Sequence, residues 1–186
     1  MAWAVHCLEL HDRRLHRSLL RHDPRPVPER RVHTAGWLRV TTDFAPMGWA
    51  IGGAVGTALA NPHCPVVCLT GDGSFLMNGQ EITVAHSLKL TVLFIVLNDA
   101  ALGMVKHGQR LAGAEPIGFE LPTVNYAQMA LAMGIPGYVI HSAADLIQLN
   151  WEQLLYQAGP TLLDVRIDPE EVPPMSLRMR TLGTAL

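Results

Sequence analysis

Cysteine is too scarce in this chain to cross-link it: Cys7, Cys64 and Cys68 are the three among 186 residues, which excludes a disulfide framework. None has a His or Cys neighbour at zinc-finger spacing, so the expected compartment is a reducing cytoplasm. Long apolar runs are also missing. Gly, Pro, His or Asp interrupts each one before the ~18 residues that a spanning helix requires, and Met1–Leu10 carries Glu9 where a secretion signal has a basic stretch. Neither a membrane segment nor an export signal is expected. Charge of one sign is not in excess, with 14 Lys+Arg against 16 Asp+Glu. The molecule as a whole therefore exerts no general pull on nucleic acid or an anionic membrane. Two common phosphate motifs are absent as well: no GxxxxGK[ST] occurs, and no GxGxxG follows a strand.

What remains has ordinary globular composition, 49% hydrophobic and 16% charged, which suits one folded domain. The charge is unevenly spread. Residues 1–40 hold eight Arg and four acids, a local +4, whereas residues 41–186 hold six bases and twelve acids, a local −6, the two summing to −2. The stretch His11–His33 combines seven Arg with Pro24, Pro26 and Pro28. It has no apolar period beyond a short helix over Leu8–Leu20, and residues 1–40 are read as an arm or the remnant of a preceding linker. The folded domain is expected over 41–186.

From Thr41 onward, apolar runs of strand length alternate with amphipathic stretches of helix length. Helices are expected over Gly48–Leu59, Gln80–Leu88, Tyr126–Met133 and Ala143–Tyr156. The Gly and Ala content of the first suggests close packing on a neighbour. Strands are expected over Val66–Thr70, Val92–Leu97, Gly137–Ile140 and Thr161–Ile167. The first two are apolar runs without alternation, as in parallel strands covered on both faces. The order implies right-handed βαβ units and an α/β fold: a doubly wound, mostly parallel sheet with helices on both faces, which binds ligands at the carboxyl ends of its strands.

Two strand ends carry the chemistry. One apolar strand runs into Gly71-Asp72-Gly73-Ser74, and the next into Asn98-Asp99-Ala100-Ala101-Leu102-Gly103. The 24 residues between Gly73 and Asn98 suffice for one crossover helix and a strand, so both turns fall at the same sheet edge. Glycines let the backbone approach a ligand and aim N–H groups at a phosphate, while Asp72 and Asp99 supply two hard oxygen donors for a divalent cation. A lone Gly-Asp-Gly after a strand is more often a plain turn. The second acidic turn, one strand–helix–strand unit later, favours the functional reading.

The Gly-Asp-Gly followed by about two dozen residues and Asn-Asp resembles the metal–diphosphate signature of thiamine-diphosphate enzymes. GDGSFLMNGQE with LNDAALGMV is similar to the C-terminal, diphosphate-binding domain of acetolactate synthase-like members, a likeness running from about Phe44 through Pro174. The resemblance implies Mg²⁺ held by Asp72, Asp99 and the backbone carbonyl of Ala101. It implies thiamine diphosphate contacted by Gly71, Gly73 and Ser74, with Asn98 fixing the turn and Leu102, Gly103 and Met104 also at the cofactor; Met104 and Val105 resemble residues lining the reaction cavity, the competing reading being sheet-edge packing. Met47, in Ala45-Pro46-Met47-Gly48, matches the apolar wedge under the thiazolium; the competing reading is a gap-filling core methionine. Asp99 stands where the family also uses Asn, and the extra charge implies strongly metal-dependent cofactor binding.

The family's activating glutamate belongs to a separate pyrimidine-binding domain, which the resemblance implies as a partner domain or subunit in a homo- or hetero-oligomer, with no nucleic acid and no membrane among the partners. The chain is thus expected to be the last third of a larger enzyme or one subunit of a split one. The implied chemistry is decarboxylation or carboligation of a small 2-oxo acid or 2-hydroxy ketone. Gly108 stands where biosynthetic acetolactate synthases carry Trp, which argues against branched-chain amino-acid synthesis. The alternatives are a non-catalytic fragment that only binds cofactor and an unrelated doubly wound nucleotide binder. Cys64 and Cys68 are expected as small buried hydrophobes, Glu81 in the first turn of its helix, His86 on that helix, and His107 and His141 in or near loops.

Overall fold

Val92–Asn98 is buried along all seven residues, because the sheet it occupies is covered on both faces. In the computed structural model, which describes residues 5–8, 38–40 and 46–172, six strands pair in parallel: β1 (Val5–Leu8), β2 (Leu38–Val40), β3 (Val66–Gly71), β4 (Val92–Asn98), β5 (Gly137–Ile140) and β6 (Thr161–Arg166). Their order across the sheet is β2-β1-β3-β4-β6-β5. The helices between them are α1 (Trp49–Ala60), α2 (Asp72–Asn78), α3 (Ile82–Ser87), α4 (Gly103–Leu111), α5 (Tyr126–Ala132), α6 (Ala143–Gln148) and α7 (Trp151–Tyr156). A short 3₁₀ turn, Gly79–Glu81, joins α2 to α3. The doubly wound α/β architecture expected from the alternation of elements is the one observed.

Each central strand serves two cores. Val92, Phe94 and Val96 of β4 pack with Ile51, Phe75, Ile82 and Tyr126 on one face. Leu93, Ile95 and Leu97 pack with Ile140 and Leu163 on the other, beneath Leu146 and Leu155. The period of two is present in the packing although no polar residue marks it in the sequence. Each large apolar side chain so buried contributes about 2 kcal/mol through removal from water. On α1 the close packing comes from alanines: Ala50, Ala54 and Ala58, four apart, are buried, while a Cβ at Gly52 or Gly56 would meet open space.

Two expectations need correction and a third is refined. The stretch Ala143–Tyr156 is two helices, because Leu149 is extended (φ −71°, ψ 139°) and the Asn150 side chain accepts the Gln153 N–H to start a new one. Glu81 lies in the first turn of its helical stretch as expected, but that turn is the 3₁₀ segment Gly79–Glu81, which runs directly into α3. Residues 1–40 contribute two short strands, neither expected from the sequence, that extend the sheet beyond β3. The helix expected over Leu8–Leu20 lies outside the described residues except for Leu8, which ends β1. No helix among the described residues is long and apolar enough to cross a membrane.

Candidate functional site

The site lies where β3 and β4 end side by side, with Gly71 level with Leu97 in the parallel register. At the first end the four-residue turn expected from Gly71 to Ser74 is replaced by a direct junction. Gly71 is extended (φ −82°, ψ 162°) and α2 begins at Asp72. Asp72, Gly73 and Ser74 thus occupy one helical turn at the carboxyl edge, and all three are buried. A Cβ on Gly71 would meet nothing within 4 Å. Gly73 is crowded: its Cβ would stand 2.7 Å from Leu102 Cδ2, 3.2 Å from Met47 Cε and 3.3 Å from Leu121 Cδ1. Three separate stretches of chain therefore converge on this glycine.

Met47 reaches that point because its loop is tied to α2. The Gly48 N–H donates to Ser74 Oγ at 2.8 Å, and Gly48 adopts φ +90°, a conformation that favours glycine. Met47 itself is half-buried. Ser74 thus anchors the loop that carries the expected wedge residue.

The second strand end is a tight turn. The Asn98 Oδ1 accepts the Ala100 N–H at 3.3 Å, Asp99 Oδ1 accepts the Ala101 N–H at 3.2 Å, and Ala100 adopts φ +54°, uncommon for a residue with a Cβ. The turn is braced by an isolated antiparallel bridge between Ala101 and Glu120. Its two bonds run from Leu102 N–H to Phe119 and from Leu121 N–H to Ala100, so the Ala101 carbonyl takes no part in them. A Cβ on Gly103 would lie 3.1 Å from Asp99 Oδ2. Leu102 and Met104, before and inside the first turn of α4, are half-buried.

Electrostatics bind the two ends into one unit. Asp72 is 3% exposed; its Oδ1 accepts the Gly73 N–H at 2.7 Å, and its Oδ2 is buried with no partner. Burial, followed by the negative charge of Asp99, pushes the Asp72 carboxyl up to about 6, against the pull of the Gly73, Ala100 and Ala101 amides. Asp99 is also raised by burial, opposed by the Ala101 amide, its own amide and the charges of Lys106 and His107. Two adjacent carboxylates are held above their ordinary range, and one has an orphaned oxygen, a donor set with which a divalent cation would be compatible. The donors are hard oxygens, which suits Mg²⁺. Among the described residues no group of three or more His, Cys, Asp or Glu side chains gathers as a metal site.

Sequence reasoning missed the support beneath these turns. Asp164 on β6 is fully buried. It accepts from Asn98 Nδ2 at 2.8 Å, from the Tyr126 N–H at 2.9 Å and from Arg166 Nη2 at 2.8 Å. Tyr126 packs edge-on against Phe75. The signal was a lone acid inside the apolar strand Thr161–Arg166. His107, expected in or near a loop, is a buried residue of α4, with Nε2 3.2 Å from the Pro169 carbonyl. Lys106 beside it donates to the same carbonyl at 3.0 Å and pairs with Glu170. His141 lies near a loop, its N–H donating to Asp145. His86 lies on α3. Cys68 is buried and Cys64 half-buried.

A doubly wound domain with an acidic strand–helix junction and an acidic turn at two adjacent strand ends is thereby defined. The chain belongs to the thiamine pyrophosphate enzymes: the family's C-terminal TPP binding domain matches residues 26–165. It is acetolactate synthase-like within that family. It is 35% identical over 144 residues to the acetolactate synthase isozyme 1 large subunit of Escherichia coli, covering 74% of this chain and 25% of that one. Over 127 residues it is 36% identical to the isozyme 2 large subunit of the same organism, covering 67% and 23%. Among solved structures it superposes on benzoylformate decarboxylase from Polynucleobacter necessarius with a TM-score of 0.66 at 26% identity, over 73% of this chain and 26% of that one. The chain spans about a quarter of the length of these relatives.

Proposed function

We propose that this domain holds Mg²⁺ and the diphosphate of thiamine diphosphate between Asp72 and Asp99. On this reading it serves an enzyme that decarboxylates or carboligates 2-oxo acids or 2-hydroxy ketones. The observation that carries the reading is the buried, unpartnered Asp72 Oδ2 beside a second carboxylate. Leaving such an atom unsatisfied costs about 1–3 kcal/mol, and a cation removes that cost. Asp72, Asp99 and the Ala101 carbonyl would hold the metal. The amides of Gly71, Gly73 and Ser74 would face the diphosphate, Asn98 would fix its turn, and Leu102, Gly103 and Met104 would line the cavity. Met47, packed toward Gly73, would support the cofactor from below. When bound, the cofactor supplies the carbanion sink, and the protein supplies position and electrostatics.

The activating glutamate is proposed to come from a pyrimidine-binding domain or subunit, so that the working unit is an oligomer; a cytoplasmic setting fits this chemistry. Benzoylformate, on which the structural relative acts, is a 2-oxo acid, and Gly108 in place of Trp disfavours acetolactate synthesis as the reaction. Calorimetric titration of the full chain with thiamine diphosphate, with and without Mg²⁺, tests the reading. Binding that requires Mg²⁺, is lost in Asp72→Ala and is not reproduced by ATP or NAD supports it. Binding indifferent to Mg²⁺ and to Asp72→Ala argues against it.

A further inference from the structure

The two acidic turns are joined beneath the site by a third carboxylate, that of Asp164. We propose that Asp164 is a positioning residue for the diphosphate–cation site: it orients the Asn98 side-chain amide, and through it sets the Ala100 turn that presents Asp99 and the Ala100 and Ala101 amides. The proposal rests on the reading that Asp72 and Asp99 hold the cation.

The chain of contacts is specific. An ionised carboxylate only accepts, so Asp164 Oδ1 requires the NH₂ end of Asn98, which donates to it at 2.8 Å and to the Val124 carbonyl at 3.1 Å. With its NH₂ so fixed, the Asn98 amide must turn Oδ1 toward the Ala100 N–H, 3.3 Å away. That bond helps hold Ala100 at φ +54°, a left-handed conformation that is unfavourable for a residue with a Cβ and needs support. The Ala100 and Ala101 amides held by this turn are the ones that oppose the rise of Asp72.

The other oxygen of Asp164 is linked to the first strand end through Tyr126. Its Oδ2 accepts the Tyr126 N–H. The Tyr126 hydroxyl lies 3.5 Å from the Asp72 carbonyl, and its ring packs against Phe75 of α2. Arg166 balances the buried charge, donating to Asp164 at 2.8 Å and to the Val124 carbonyl at 3.1 Å. The Asp164 carboxylate thus accepts from three donors on three different elements, while the Nε of Arg166 is buried without a partner. One residue on β6 thereby fixes how the ends of β3 and β4 face each other.

The test compares the full chain with Asp164→Asn and with Leu162→Val, a core change on the same strand that serves as a stability control. Hydrogen exchange by NMR is read at the Asn98 side-chain amide and the Ala100 N–H in the absence of any ligand. Asp164→Asn is expected to speed exchange at both about tenfold beyond any change shared with the control. Equal exchange in the two variants would overturn the proposal. Titration with thiamine diphosphate and Mg²⁺ is the second readout. The Kd is expected to rise about tenfold in Asp164→Asn, as for loss of a group that orients a metal ligand, and to stay near wild type in the control. Failure of the wild type to bind would reject the cofactor reading, while the exchange data still decide the positioning. If Asp164→Asn does not fold, Asn98→Ala is read at Ala100, where unchanged exchange would likewise overturn the proposal.

Discussion

Gly73 and Leu102 meet across the two strand ends, so closely that a Cβ on Gly73 would stand 2.7 Å from Leu102 Cδ2. The contact joins the start of α2 to the start of α4 and leaves no room for a side chain between them. Gly73→Ala should therefore push Leu102 and Met47 aside and disturb both acidic turns. Overpacking of this kind costs about 1–3 kcal/mol, measurable by urea denaturation. Thiamine diphosphate binding in the presence of Mg²⁺ should weaken by more than the stability loss alone explains.

The pH dependence of the metal-free chain has a defined sign. Asp72 has an ordinary value of 3.8 and is pushed up to about 6 in the fold, so the folded chain holds a proton that the unfolded chain has released. Its contribution to stability is present below about pH 4 and is lost as pH rises through about 6. Thermal midpoints should accordingly show Asp72 destabilising the metal-free chain at neutral pH. The midpoint gained on adding Mg²⁺ with thiamine diphosphate should be larger at pH 7.5 than at pH 5.

Asp99→Asn removes the charge that helps raise Asp72. The Asp72 carboxyl should titrate lower in this variant, as followed by NMR, and the metal-free chain should melt at a higher temperature at pH 7.5. Dependence of cofactor binding on Mg²⁺ should weaken, because one fewer negative charge faces the diphosphate.

Gly137 offers a test of the fold away from the site. A Cβ there would be driven into the backbone of Ala127, which a rotamer change cannot relieve. Gly137→Ala should destabilise the chain by about 1–3 kcal/mol or more, lowering the urea midpoint, with cofactor affinity in the surviving folded fraction unchanged.

Lys106 is 4% exposed and is paired with Glu170, a group that Arg110 also contacts. The Lys106 and Arg110 hydrogen bonds hold the Glu170 carboxyl down to about 2. Its contribution to stability is thus present above about pH 4.5 and lost as pH falls through about 2. Glu170→Gln should flatten the acid limb of the stability profile, read by thermal melts from pH 5 to pH 2.

The central strands and the paired turns were legible because β-branched and apolar runs, Gly-Asp-Gly and Asn-Asp are all local signals. The helical character of Asp72–Asn78 was not, since Gly71 and Gly73 mark a turn and a helix start equally well. The break between α6 and α7 turned on Asn150 acting as a cap inside an otherwise helical pattern. The strands Val5–Leu8 and Leu38–Val40, with three and two apolar residues, were hidden in a segment whose Arg and Pro content outweighed them. Asp164 was hidden for a different reason: its role depends on Asn98 and Tyr126, which no pattern along the chain connects to it.

The most direct test of the site replaces Mg²⁺ with Mn²⁺ and reads its electron spin resonance with thiamine diphosphate bound to the full chain. Coupling of the Mn²⁺ to phosphorus, lost together with metal binding in Asp72→Ala and Asp99→Ala, is the predicted result. A Mn²⁺ signal identical to that of the free ion with thiamine diphosphate, or binding unaffected by both substitutions, would contradict the assignment of the two turns as the cation–diphosphate site.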